Sequence, residues 1–210
     1  ALGVLGVPLV ILAAAAFGAA WAFLPGWLQA KRGSHVVITT IMMNFIAGSL
    51  MTYLLVNVLI RPGQQAPETA TFASMLWMPQ LWEIAGGLGL SVGRSPVNVS
   101  LVLALLCALA VWLFVVGRNE RAAIYGGIRP DRVIVLAMAL SGALAGLMAV
   151  NELLGSQHRL LLGFTGGYGF VGIAVALMGR NHPVGIVMAA VLFGALYQGG
   201  AEIAFDMPRV

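Results

Sequence analysis

Long uncharged apolar stretches, separated by short polar segments, dominate the pattern of this chain. Residues 2–24, 36–60, 99–116, 133–150 and 184–201 contain no Asp, Glu, Lys or Arg. A membrane-crossing α-helix needs about 20 mainly apolar residues. The pattern therefore predicts an all-α polytopic membrane protein with about five full transmembrane helices.

A sixth uncharged stretch, residues 163–178, differs from the other five. It has only 16 residues, so as a regular helix it would be about 24 Å long. Its first half reads GFTGGYGFVG, which is too rich in glycine for a regular helix. We expect a broken or short span here, and discontinuous spans often mark transport sites.

Composition agrees with a membrane location. Hydrophobic residues make up 60% of the 210 positions and charged residues 9%, whereas soluble domains carry about 25% charged residues. The single Cys107 lies in an apolar stretch, which excludes a disulfide framework and a cysteine-based metal site. The chain starts at Ala1, already inside an apolar run, and we expect both ends to be cut from a longer protein.

The distribution of charge predicts an orientation. If the six spans alternate, one side receives seven basic and two acidic residues, and the other receives four basic and five acidic residues. The positive-inside rule places the first side in the cytoplasm, so residues 117–132 are predicted to form a cytoplasmic loop. The long connection 61–98, with three Trp/Phe and four Pro residues, is predicted to be an ordered external cap.

The loop at residues 117–132 has the features of one short helix. Asn119 is a suitable N-cap, and Glu120 suits the positive end of the helix dipole. Ala122 and Ala123 favour helix, and the glycines at 126 and 127 end it. A helix of this length is marginal alone, so we expect it to pack on this chain or on a partner.

Two glycine-rich segments match motifs of other functions, but their surroundings do not fit either motif. Residues 167–172 fit GxGxxG, but a dinucleotide site needs a preceding strand and an acidic residue about 20 positions later, and residues 189–191 read AAV. Residues 165–169, TGGYG, are similar to a potassium-channel filter. A pore helix should precede such a filter, and the segment before it is short.

No arrangement of side chains points to catalysis. The three histidines lie in separate connections, without carboxylates at ligand spacing. We therefore expect no enzyme activity, no metal, no cofactor and no nucleic-acid partner. Gly142 and Gly146 form a GxxxG pair, which indicates close helix packing within the bundle or, alternatively, a dimer seam.

Polar residues inside apolar spans are costly in lipid and tend to face a cavity. Thr40 and Asn44 are four residues apart and would share one helix face. Interhelical hydrogen bonding and the lining of a polar solute route are both compatible with this placement.

Four blocks, in order along the chain, carry a resemblance to a known family. They are ITTIMMNFIA at 38–47, GRNERAAIYGGI at 117–128, residues 161–183, and GALYQGGAE at 194–202. Together they resemble the ABC importer permeases of the branched-chain amino acid and ribose permease superfamily, in the nucleoside or simple-sugar branch. This chain lacks an Arg-Thr-x-x-Gly-containing stretch that relatives carry before the second block.

The resemblance implies a single transmembrane permease domain, residues 1–210, in the bacterial plasma (inner) membrane. It implies a cytoplasmic ABC ATPase, a second permease subunit or copy, and an extracytoplasmic solute-binding protein as partners. Its coupling helix would contact the ATPase through Arg118, Asn119, Glu120, Arg121, Ala122, Ala123 and Tyr125. The expected solute-route residues are Thr40, Asn44, Phe164, Tyr168, Phe170 and Gln198. A channel or secondary carrier that needs no ATPase is the alternative function.

Overall fold

The computed structural model describes residues 2–63, 65–80, 83–84, 98–114, 127 and 129–206. In this part of the chain the regular structure is helical, and two isolated β-bridges are the extended pairings. The α-helices described in these residues are α1 (Leu2–Arg32), α2 (Val36–Asn57), α3 (Ser100–Phe114), α4 (Pro130–Val150), α5 (Tyr168–Met178) and α6 (Pro183–Asp206). A 3₁₀ turn covers Ser74–Leu76, and a π-helical turn, Asn151–Gln157, continues α4.

Four helical segments are long and apolar enough to cross a membrane, and they correspond to four of the five predicted spans. They are Gly6–Arg32, Val36–Asn57, Pro130–Gln157 and Pro183–Ile203. The fifth prediction corresponds to α3, which is described over 15 residues. The prediction of an all-α polytopic membrane protein is confirmed.

The chain divides into two compact units. The first comprises Ala1–Leu101 and Gly117–Phe164, and therefore holds α1, α2, α4 and the π-helical turn. The second comprises Val102–Val116 and Thr165–Val210, and holds most of α3 together with α5 and α6.

In the first unit, α1 and α4 pack against each other along their length. A Cβ atom added at Gly142 would clash with the Gly18 carbonyl, and one added at Gly146 would clash with the Ala14 carbonyl. Towards the other end, a Cβ atom at Gly26 would lie 2.8 Å from Met138 Cβ. The order of these contacts makes the helices antiparallel. The GxxxG pair therefore serves packing within the bundle, as the first interpretation held, and α1 occupies the face that a dimer seam would need.

The position of the C-terminal end of α1 follows from the local sequence. Lys31 and Arg32 occupy its last turn, where cations are favoured by the helix dipole. Gly33 then adopts a φ of 63°, and its N–H donates to the Gln29 carbonyl at 3.1 Å. This left-handed glycine ends the helix, eight residues beyond the predicted boundary at Leu24.

The segment 65–80 lies against the residues that follow α4. The N–H groups of Thr69, Phe72 and Met78 donate to the carbonyls of Leu160, His158 and Leu154 at 3.1, 2.8 and 3.0 Å. Met78 of this segment forms a small core with Val150 and Leu154, each at most 6% exposed. Val10, Ile11, Ala14, Phe72 and Leu76 pack around that core.

Charged side chains lie at both ends of the α1–α4 pair. Lys31 lies with Arg129 and Arg132 around one cleft. At the far end, Arg159 Nη1 and Glu68 Oε2 form an ion pair at 3.1 Å.

In the second unit, a tight turn joins α5 to α6. Gly179 ends α5, and Arg180 and Asn181 follow in left-handed conformations with φ of 54° and 55°. Added Cβ atoms at Gly179 and Gly185 would each overlap the other glycine's backbone region. Glycine at both positions therefore allows the two helix ends to meet.

The sixth apolar stretch is broken, as predicted. Gly163, Gly166 and Gly167 have φ of 75°, 51° and 81°, values that favour glycine. The helix begins only at Tyr168 and lasts 11 residues, about 16 Å at 1.5 Å per residue. Because Tyr168 and Gly169 are helical, residues 165–169 do not form an extended carbonyl ladder, and the potassium-filter alternative is wrong.

Candidate functional site

Helix α2 carries Thr40 and Asn44 one turn apart. The Thr40 hydroxyl lies 2.9 Å from the Val36 carbonyl and 3.0 Å from the Val37 carbonyl, so its proton is used within its own helix. The Asn44 side chain is exposed, and no described residue forms a hydrogen bond with its amide. Of the two, Asn44 has donor and acceptor capacity available to another molecule.

The glycine-rich turn places three aromatic residues within seven positions. Phe164 is half-buried, whereas Tyr168 is 39% exposed and Phe170 is 75% exposed. A Cβ atom at Gly166 would lie 3.8 Å from Tyr168 Cζ, so the tyrosine ring lies beside the turn. Glycine therefore keeps the backbone accessible next to an aromatic ring.

Gln198 lies on the exposed surface of α6. Its Nε2 donates to Glu202 Oε1 at 3.3 Å, one helical turn further on. This contact orients the amide and leaves its carbonyl oxygen as an acceptor.

The six expected route residues divide between the two units. The first unit holds Thr40, Asn44 and Phe164, and the second holds Tyr168, Phe170 and Gln198. Within the first unit the structure brings Thr40 and Asn44 to one face of α2. Within the second, it brings Tyr168 and Phe170 to the first turn of α5.

The expected coupling helix lies almost entirely outside the described residues. This applies to Arg118, Asn119, Glu120, Arg121, Ala122, Ala123 and Tyr125. At the end of that loop the structure describes Gly127, with a φ of 79°, and residues 129–132, of which Pro130 begins α4.

A polar cluster that the sequence did not predict lies where α3 begins and α4 ends. Asn98 is only 7% exposed, and its Oδ1 accepts from the Ser100 N–H at 3.2 Å and from the Ser100 hydroxyl. Ser100 Oγ also lies 2.5 Å from Asn151 Oδ1. A Cβ atom at Gly155 would overlap the Asn98 amide. The cluster joins connections 51 residues apart, so no local pattern could reveal it.

The chemistry of these groups suits binding more than reaction. Over the described part of the chain, no three His, Cys, Asp or Glu side chains are grouped as a metal site. The expected route residues offer amides, a hydroxyl and aromatic faces, which recognise uncharged polar rings by hydrogen bonds and stacking.

Comparison with known proteins decides the family. The model of the family described as "Branched-chain amino acid transport system / permease component" matches residues 1–208. The chain belongs to this permease family. No solved structure matches this permease.

Three curated relatives are similar to this permease over almost its whole length. The guanosine ABC transporter permease protein NupP of Bacillus subtilis is 37% identical over 96% of this chain. The glucose ABC transporter permease protein TsgB13 of Haloferax volcanii is 34% identical over 96%, and the nucleoside ABC transporter permease protein NupB of Lactococcus lactis is 33% identical over 95%. The chain spans 57% of the TsgB13 length and 58% of NupP and NupB.

Proposed function

We propose that this chain is the membrane-spanning permease subunit of an ATP-binding-cassette importer that moves a nucleoside or simple sugar across the bacterial inner membrane. The carrying observation is the family match over residues 1–208. Glucose, guanosine and nucleoside appear in the names of three relatives that are 33–37% identical. These solutes share uncharged rings with several hydroxyl groups.

In this proposal, partner proteins carry out ATP hydrolysis and solute delivery. ATP hydrolysis belongs to a cytoplasmic ATPase, and an extracytoplasmic solute-binding protein delivers the solute. A second permease subunit, either a copy or a different chain, completes the pore. The coupling helix at residues 117–128 transmits the movement of the ATPase to the helices of this chain.

The proposed route uses Asn44 and Gln198 as hydrogen-bonding groups and Phe164, Tyr168 and Phe170 as stacking surfaces. Thr40, whose hydroxyl is bonded within α2, contributes mainly its small size and its methyl group. The glycine-rich turn at residues 163–167 supports this assignment because discontinuous spans often form the substrate sites of transporters.

Transport proceeds by alternating access, in which ATP binding and hydrolysis re-pack the spans around a central solute site. The close α1–α4 contact at Gly142 and Gly146 favours movement of these two helices as one body. Direct backbone contact leaves little room for sliding.

The deciding experiment is co-purification of the full-length permease from native membranes. We expect a cytoplasmic ATPase to accompany it, and Arg121→Glu to release that ATPase, because the substitution reverses a charge on the coupling helix. Arg180→Glu is the matched control, since Arg180 is exposed in the α5–α6 turn, on the same predicted side of the membrane. The control should retain the ATPase.

A channel or secondary carrier is the alternative, and it predicts a different result. Such a protein would purify without an ATPase and would move solute in liposomes without ATP. Solute uptake by the isolated chain, unaffected by Arg121→Glu, would overturn the importer proposal.

A further inference from the structure

A cleft of about 640 Å³ lies between the end of α1 and the start of α4. Cavities of this size commonly hold small molecules. Its mouth is formed by Lys31, Arg129, Asp131 and Arg132, and its walls by Phe23, Ala30, Val135, Leu136 and Ala139. We call it the basic cleft.

The basic cleft changes from charged to apolar along the helix axes. On α4, Arg132, Val135, Leu136 and Ala139 follow helical spacing and so form one stripe. From Arg132 to Ala139 the stripe is about 10 Å long, and from Lys31 to Phe23 the α1 wall is about 12 Å long, at 1.5 Å per residue. These lengths suit a charged headgroup at the mouth and the first part of a hydrocarbon chain behind it.

The mouth carries an excess of positive charge that nothing in the described part of the chain neutralises. Lys31, Arg129 and Arg132 face one carboxylate, Asp131, and the ion pair in the described residues is elsewhere, between Arg159 and Glu68. All three basic side chains are exposed. An anionic ligand would complement this charge.

The apolar walls of the basic cleft are exposed on the outer surface of the helices, where membrane lipid would contact them. Phe23 is 47% exposed and Leu136 is 61% exposed, although both lie on helices long enough to cross a membrane. A water-soluble anion would leave these side chains uncovered, whereas a lipid covers both the charged and the apolar part of the cleft.

We propose that the basic cleft binds an anionic phospholipid, with its phosphate between Lys31, Arg129 and Arg132 and an acyl chain along Phe23 and Leu136. Basic pockets between helices on the cytoplasmic side bind such headgroups. None of its lining residues belongs to the proposed solute route, and a lipid bound there would hold α1 and α4 in register at the end where the coupling loop joins α4.

The first test compares lipid binding by wild type and variants in detergent with native mass spectrometry. The probes are phosphatidylglycerol and phosphatidylcholine. We expect preferential phosphatidylglycerol binding, weakened about 30-fold by Arg129→Gln with Arg132→Gln, since each basic group near anionic lipid contributes about 1 kcal/mol. The control pair Arg61→Gln with Arg180→Gln removes the same charge elsewhere and should bind as wild type does.

A second variant separates the apolar wall from the charges. Ala139→Trp fills the cleft but leaves Lys31, Arg129 and Arg132 in place, so it should also reduce phosphatidylglycerol binding. Circular dichroism and size-exclusion profiles equal to wild type would show that the variant is folded. Undiminished binding by this folded variant, or by the double Arg variant, would overturn the proposal.

Other occupants give other results. Displacement of phosphatidylglycerol by millimolar inorganic phosphate would assign the cleft to a free anion. A photo-crosslinker introduced at Leu136 should form a lipid adduct in membranes. An adduct with residues 115–128 instead would mean that the chain's own loop fills the cleft. Either of these outcomes would contradict lipid occupancy.

Discussion

Glycine determines how closely α1 and α4 approach. At Gly142 and Gly146 the neighbouring backbone of α1 occupies the volume that any Cβ atom would need. Between helices in lipid, where the hydrophobic effect contributes little, such close contacts supply van der Waals energy. The stability of the first unit should therefore be unusually sensitive to these two positions.

We predict that Gly146→Val destabilises the permease by about 1–3 kcal/mol, the usual range for overpacking. The Ala14 carbonyl lies on the helix backbone and cannot move out of the way as a flexible side chain could. The measurement is reversible unfolding in mixed SDS micelles.

Gly194→Val is the matched control, because nothing lies within 4 Å of an added Cβ atom there. Gly194 is also inside a long apolar helix, α6, so the change in helix propensity is comparable. Equal destabilisation by both variants would contradict a packing role for Gly146.

At the scale of elements, the apolar periods and glycine signals predicted most of the helices. α2 starts at the predicted Val36, and α4 ends at the predicted Val150. The glycines of residues 163–167 correctly predicted a break before α5. Helix boundaries and the glycine break depend on residues that are adjacent in the chain, so the local sequence is sufficient to predict them.

Pairings between distant segments could not be predicted in the same way. Arg159 and Glu68 are 91 residues apart, and so are Leu160 and Thr69. The π-helical turn and the left-handed His158, with a φ of 54°, position these groups. Their conformations depend on tertiary contacts that the local pattern does not express.

Trp77 connects the segment 65–80 to the turn after α4. Its ring stacks on His158 with centroids 4.0 Å apart and an interplanar angle of 15°, and its Nε1 donates to the Phe72 carbonyl at 3.0 Å. Offset aromatic stacking contributes about 0.5–1.5 kcal/mol beyond the area buried. The Trp77 side chain thus attaches the segment 65–80 to the turn that contains His158.

We predict that Trp77→Ala accelerates amide hydrogen exchange in residues 68–78 by about tenfold, measured by mass spectrometry of the permease in nanodiscs. The N–H groups of Phe72 and Met78, bonded to the turn, should lose protection because local opening becomes easier.

Trp27→Ala is the control. Trp27 is a similarly exposed tryptophan on α1, away from this segment, and its removal should leave exchange at 68–78 unchanged. Unchanged exchange in Trp77→Ala would mean that the backbone hydrogen bonds alone hold the segment.

At the scale of the whole molecule, the proposed route residues are divided along the chain. Each unit contains three of the six. The sequence predicted these residues from polarity, aromatic character and resemblance, and they stay predictions. It could not identify which of them have free hydrogen-bonding capacity, since the bonds of Thr40 to its own helix depend on side-chain conformation.

The last prediction tests the route in both units at once. Asn44→Leu and Tyr168→Ala should each lower ATP-dependent uptake by about tenfold in a fully assembled importer. Removing one productive hydrogen bond or one stacking surface costs about 1–1.5 kcal/mol. The measurement is uptake of radiolabelled guanosine and glucose into proteoliposomes, with assembly checked by ATPase retention.

The controls repeat the same substitutions outside the proposed route. Asn57→Leu changes an asparagine whose amide donates to the Tyr53 carbonyl of its own helix at 3.0 Å, and Tyr197→Ala changes a tyrosine that is 70% exposed on α6. Both should transport as wild type does. If Asn44→Leu and Tyr168→Ala transport equally well while the ATPase stays bound, the route lies elsewhere, although the importer function would stand. The solute that the wild-type importer takes up would identify the solute class, because binding-site contacts that discriminate must differ between a purine nucleoside and a hexose.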